Sequence, residues 1–395
     1  MSKTLSLATL SLLALAVNSS PCMWDTDTLA AESKGKMDFV AVLVGRFERN
    51  PPLYYQMRID REMPEVTKNP ALLDHYDDIG VAEARLGKND LALSWMARKR
   101  AELKKLGSKD SDQWYRLYAN EGTFFAHRWF AGGADRKHPS DLKQAISEID
   151  QAIKINPNAH FGREWVQRDF LKWALKPGEG NFSDYLGYDS IDGFNEIDNG
   201  KLSDSQRDTA MDAAQKGALR NALGLAGLIR LGGAWESPDI TAALGRMLPQ
   251  IRSGQVAGLA FLRTKELIGQ GKKPLAEDLG LDNPFTYYGE NGPSQAAWPF
   301  NVSQFRSLRA AADEWHQRRT DFMIDRLREG RHPDTDPHFW DGYKDGPQLV
   351  VREPYPWEKP YFWPQFALGS VCCVLPSALF IWFCVRLWKS RYARP

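Results

Sequence analysis

The 395-residue chain lacks a net charge of any size: 51 Lys and Arg stand against 50 Asp and Glu, a formal +1 with histidine neutral. So weak a field draws neither nucleic acid nor an anionic membrane surface, and no nucleic-acid partner is expected. Cysteine is scarce as well. Of the four, Cys372, Cys373 and Cys384 fall in one C-terminal apolar run, leaving only Cys22 elsewhere, so no internal disulfide can staple the body and packing must stabilise it. The chain also lacks G-x-S-x-G, H-E-x-x-H, a glycine-rich phosphate loop, a dinucleotide fingerprint and C-x-x-C-H. Each absence removes a common enzyme class; the expectation is a non-enzyme with no catalytic residues and no cofactor.

What is present begins with topology signals at both ends. Residues 1–19 read as a secretory signal peptide: Lys3, an uncharged run from Leu5 to Val17, then Asn18-Ser19-Ser20, with small residues at two candidate cleavage points. Pro21 before Cys22 stands where a lipid-attachment motif needs a small residue. The twenty residues Phe366 to Val385 carry no charge; as a helix they would span roughly 30 Å, the thickness of a bilayer's hydrocarbon core. Arg386, Lys389, Arg391 and Arg394 follow without an acidic residue, which places the tail at 387–395 in the cytoplasm. Tyr361, Phe362, Trp363, Trp388 and Tyr392 flank the run as interfacial aromatics would. The expectation is a single-pass cell-membrane protein, with a transmembrane helix at 365–386 and an extracytoplasmic (periplasmic) body.

Within the body the apolar spacing is helical and no strand pattern emerges, so the expected class is all-α. Residues 73–106 alternate large and small apolar residues on both sides of a Gly87-Lys88-Asn89 turn, the pattern of a helical hairpin. Tyr76, Ile79-Gly80, Gly87, Ala92 and Met96 fall at the places where two nested helices need large, small and turn residues. A second copy runs from "YANEGTFFAHRWFA" to "LKQAISEIDQAIKINPNA", with Ala145, Ile149, Ala152, Ile153 and Pro157 in register. Gly122 and Ala145 are 23 apart where the pattern places about 12, so an insertion around "HRWFAGGADRKHP" is expected to lengthen the turn. A helix at 159–175 follows as a cap. These stretches resemble the tetratricopeptide-repeat (TPR) family over about 70–175. A weaker likeness recurs at 242–268, with Leu244-Gly245, Leu248, Ala257, Phe261 and Thr264. Together with the end signals, the pattern is similar to envelope TPR proteins of planctomycete-type bacteria.

The organisation read from this is a signal peptide (1–19), N-terminal capping helices (20–69) around Asn50-Pro51-Pro52, and repeats with a capping helix (70–175). A Gly-, Asp- and Ser-rich linker (176–212) leads to degenerate hairpins (213–275) and a helical region (276–345). That region contains one long helix at 302–328, with Phe305, Leu308, Ala312, Trp315, Phe322 and Leu327 near one face. A Pro- and aromatic-rich spacer (346–364) leads to the span. What the resemblance implies is a helical-hairpin solenoid whose concave groove binds extended segments of unknown envelope proteins. The groove positions it carries over are Asp77, Val81 and Arg85 in the first copy, Ala119, Thr123 and His127 in the second, and Glu164, Arg168 and Lys172 in a third helix.

Two other stretches invite chemistry. Asp25-Thr26-Asp27-Thr28-Leu29 resembles the D-x-D-x-T nucleophile motif of dehalogenase-type phosphatases, with Leu29 for the last Thr. That motif needs its first Asp at the end of a buried parallel strand, and no strand precedes Asp25, so a structural N-terminal segment with Trp24 docked on the first helices is favoured. His332, Asp334, Asp336, His338 and Asp341 form the densest set of metal-capable side chains. They define the alternative, a periplasmic metal- or ligand-binding protein using His332–Asp341.

Overall fold

A computed structural model of the chain describes residues 25, 37–157, 162–176, 180–186, 203–251, 253–277, 279, 298–352, 382 and 386. Among the described residues every regular element is helical, with twelve α-helices. In chain order these are α1 (Phe39–Val44), α2 (Pro52–Lys68), α3 (Leu73–Arg85), α4 (Asn89–Lys105), α5 (Ser111–Ala131), α6 (Ser140–Ile155), α7 (Arg163–Leu175), α8 (Phe182–Tyr185), α9 (Asp204–Gly227), α10 (Pro238–Met247), α11 (Gly254–Gly269) and α12 (Trp298–Arg328). A π-helical turn, Leu228–Gly232, continues α9. The expected signal segment, Trp24 and Asp27 lie outside the described residues, as does the apolar run 366–385 apart from Trp382. Among the described residues no helix is long and apolar enough to cross a membrane.

Local chemistry sets several boundaries. Pro52 opens α2 at a position whose N–H would have no intrahelical partner. Asp110 starts α5 by accepting the backbone N–H groups of Asp112 and Gln113. The linker expected at 176–212 is shorter than its composition suggests, because Ser203 and Gln206 form a reciprocal capping box that starts α9 at Asp204. Its other described part is packed: Phe182 of α8 is buried in edge contact with Phe170, their centroids 5.1 Å apart. The insertion after Gly122 does not all go into the turn. Helix α5 runs on to Ala131 before residues 132–139 reverse the chain.

Three hairpins share one packing device. A Cβ on Gly80 would come within 2.7 Å of Met96, one on Gly122 within 2.8 Å of Ile149, and one on Gly245 within 3.1 Å of Ala260 and Phe261. In each case a glycine of the first helix lets a large residue of the second lie against bare backbone. Ala92, Ala145, Ala152 and Ala257 are buried at the small positions. The first hairpin departs from the second at a buried position: Lys99 stands where the second has Ala152. Fully buried, Lys99 donates a hydrogen bond from Nζ to Asp77, whose other oxygen accepts from Asn120 Nδ2 at 3.1 Å. Burial pushes the Asp77 carboxyl up to about 6 even with Lys99 and its charge beside it.

From α2 to α7 each helix packs on its neighbour in the chain; α7 packs on α9, α9 on α10, and α10 on α11. Helix α12, roughly 46 Å long at the usual rise, then touches α11, α1 and α2. Its Phe305 and Ala312 lie in the core of α5–α7 and α9–α11, while Met323 and Leu327 lie in the core of α2–α4. One helix thereby joins both cores and brings the end of the array back to its start. Arg309 donates to the Val44 carbonyl at 2.6 Å, and Arg85 of α3 donates to the Leu231 carbonyl at 2.6 Å, linking segments 265 and 146 residues apart.

Replacing Lys99 with Met should cost about 3–5 kcal/mol in urea denaturation, because Asp77 stays buried without its cation. Adding Asp77→Leu should return most of that loss. A single substitution as mild as the pair would show that Asp77 and Lys99 do not depend on each other.

Candidate functional site

The nine groove positions are mostly internal, which corrects the open face expected of them. Asp77, Val81, Ala119, Thr123, His127 and Glu164 are buried. Asp77 is committed to Lys99 and Asn120, Thr123 accepts from Gln167 Nε2 at 3.1 Å, and Glu164 accepts from the Tyr115 hydroxyl at 2.8 Å. Arg168 and Lys172 are half-buried near Asp150, at 3.7 and 3.8 Å. Only Arg85 is exposed, and its guanidinium reaches the second half of the chain. The physical reason is that α3, α5 and α7 turn these faces on one another, while α9 lies against α7, with Gly224 close to Val166.

The His332–Asp341 segment forms a clasp rather than a ring of ligands. Arg58, fully buried on α2, donates from Nε and Nη2 to the two oxygens of Asp334, both at 2.8 Å, and from Nη1 to Asp25 at 3.2 Å. Arg61 adds a bond to Asp334 at 2.6 Å. Burial opposes ionisation of Asp334, but Arg58's hydrogen bonds and charge hold its carboxyl well below the usual range. His332 stacks on Tyr54 at 4.5 Å; its Nε2 meets the Tyr54 carbonyl and its Nδ1 accepts from the Asp334 N–H, so both ring nitrogens are used. Asp336 pairs with Arg331, and His338 with Asp341 at the surface. The candidate ligands His332, Asp334, Asp336 and His338 therefore do not converge. Asp25 is an ion-pair partner of Arg58, so the first carboxylate of the D-x-D stretch is bound to α2.

Two features were missed by sequence reasoning. The first is a cleft of about 330 Å³ where the array closes, lined by Asp38, Val42, Arg46, Phe47, Glu48, Arg230, Trp315 and Leu349 among others. Residues 344–349 cross its edge as a non-helical strap, anchored by Arg46 donating to the Pro347 carbonyl and, at 2.6 Å, to that of Gly346. The second is an acidic pair with a histidine, Glu62, His75 and Asp78, between α2 and α3. Burial, and then the like charge of Asp78, push Glu62 up to about 8. Its only sequence trace was the spacing of three between Glu62 and Glu65 and between His75 and Asp78.

No protein-family model, curated protein or solved structure matches the chain.

Arg58→Gln should destabilise the fold by about 3–5 kcal/mol, since Asp334 would lose its buried partner. Because the folded-state pKa of Asp334 is depressed, its contribution is present above the unfolded value near 4 and lost as pH falls below it. The parent should therefore lose stability steeply below about pH 4, whereas Arg58→Gln should show a flatter acid limb. Parallel limbs in urea titrations from neutral to acid pH would contradict the clasp.

Proposed function

We propose that the chain is a non-catalytic, membrane-anchored, extracytoplasmic scaffold of the tetratricopeptide type, joining other proteins of the cell envelope. In this reading residues 1–19 direct export and the helix at 365–386 holds the body at the membrane. The observation that carries it is the repeated hairpin. Gly80, Gly122 and Gly245 each admit a large residue of the partner helix, at the place such repeats keep small.

The docking face is not the first-helix groove, whose side chains are mostly internal. The cleft beside α1 is the better candidate. Val42, Phe47, Trp315 and Leu349 give it apolar walls, and Arg46, Glu48, Arg230 and Asp345 supply both signs of charge. That mixture suits an extended polypeptide with a few polar anchors, and the strap at 344–349 illustrates how Arg46 holds backbone carbonyls.

A photo-reactive residue at exposed Glu48 should capture a discrete neighbour in native membranes, identifiable by mass spectrometry, whereas one at Lys109, on the exposed turn between α4 and α5, should not. Capture at neither position, or equally at both, would remove the cleft as the docking face. For the anchor, a reporter fused after Pro395 should behave as cytoplasmic while protease added outside digests the body. A protected body would sink the topology.

A further inference from the structure

The facing sides of α2 and α3 each carry two metal-capable residues three positions apart: Glu62 and Glu65 on α2, His75 and Asp78 on α3. One ligand atom from each of Glu62, His75 and Asp78 lies within 4.8 Å of the others. Glu62 is only 3% exposed. Its Oε1 accepts from Arg61 Nη2 at 2.7 Å, but its Oε2 has no hydrogen-bond partner and lies 3.6 Å from His75 Nδ1. The other ring nitrogen, Nε2, is 3.0 Å from Glu65 Oε2. Burial favours the protonated form of metal-free Glu62; when Glu62 is ionised and His75 carries its proton on Nε2, Nδ1 and Glu62 Oε2 face each other as two acceptors. A cation between them resolves the conflict. An ion held tetrahedrally at about 2.1 Å from each donor sets those donors about 3.4 Å apart, close to the separation observed.

We propose that Glu62, His75 and Asp78 bind a divalent transition-metal cation of the Zn²⁺ type, with Glu65 as the residue that orients His75. One imidazole nitrogen with two carboxylates suits such an ion better than Ca²⁺ or Mg²⁺, which take oxygen. A carboxylate on the far nitrogen of a ligating histidine is the usual outer-shell arrangement, and facing helices with ligands three apart are a recurrent way to build a metal centre. The nearest guanidiniums do not compete: Arg58 is engaged with Asp25 and Asp334, and Arg61 with Asp334 and Glu62 Oε1. His75 is half-buried, which leaves a route for the ion and room for water to complete its coordination. The bound ion would tie the N-terminal cap to the first hairpin.

The test uses the full chain, stripped with chelator and titrated with Zn²⁺ by calorimetry, beside thermal melts. One saturable site should appear, with a higher melting temperature when loaded. Glu65→Gln should weaken binding about 10–100-fold, Glu62→Gln and His75→Gln at least as much, and His338→Gln at the exposed His338–Asp341 pair not at all. Glu62→Gln keeps the shape and removes one of two facing carboxylates, so the metal-free variant should keep its helical circular dichroism. If a ligand variant unfolds, the Co²⁺ spectrum of the parent decides. Intense d–d bands of a four- or five-coordinate nitrogen- and oxygen-ligated ion support the site, and a pale six-coordinate aqua-like spectrum overturns it. No saturable Zn²⁺ binding by the parent, or binding undiminished in both Glu62→Gln and His75→Gln, also overturns it.

Discussion

The structure depends on one long-range constraint, the attachment of α12 to both ends of the helical array. Helical hairpins in an open row contact only their neighbours and can end wherever a polar cap covers the last one. Here Phe305 and Ala312 complete one core, Met323 and Leu327 the other, and Arg309 and Arg319 bind α1 and the turn after it through the Val44 carbonyl and Asn50. The two cores are coupled by a rigid rod whose spacing is set by the helical rise. Met323 and Leu327 of α12 also cover a face of α2–α4 that would be exposed in an open row.

Two groups of charge within the interior form closed sets. Lys99 with Asp77 and Asn120, and Arg58 with Asp25, Asp334 and Tyr54, satisfy one another where water is excluded. Such sets contribute little net stability compared with apolar packing, but losing one member is expensive. They therefore specify which helices belong together. Lys99 marks the first hairpin as different from the second, and Arg58 selects the His332–Asp334 turn as the mate of α2.

The helical class, the hairpins at 73–106 and 242–268 and the long helix at 302–328 were legible because periodicity, turn glycines and caps are local signals. The covering of the groove was not. Val81, Ala119 and Thr123 look the same in a sequence whether their face meets solvent or another helix. Nor could spacing reveal that Arg58 and Asp334, 276 residues apart, would meet. The run His332 to Asp341 looked like a ligand set because residue types are visible and their commitments are not: the neighbour that occupies His332 is a backbone carbonyl of α2. At Glu62 and His75 the separate pairs were visible, but only the packing of α2 on α3 shows that they face each other.

The return of α12 to α1 and α2 has a consequence for how the chain is made. Helices near the N-terminus leave the ribosome first, yet the core of α2–α4 lacks Met323, Leu327 and Phe339 until nearly the whole described body has been synthesised. Contacts this distant close late, after the loop entropy between them has been overcome. Until then the unfinished face of the first helices is an apolar surface waiting for its cover, the kind of surface that chaperones bind and that aggregates when left alone. The order of synthesis thus runs against the order in which the first core can be completed.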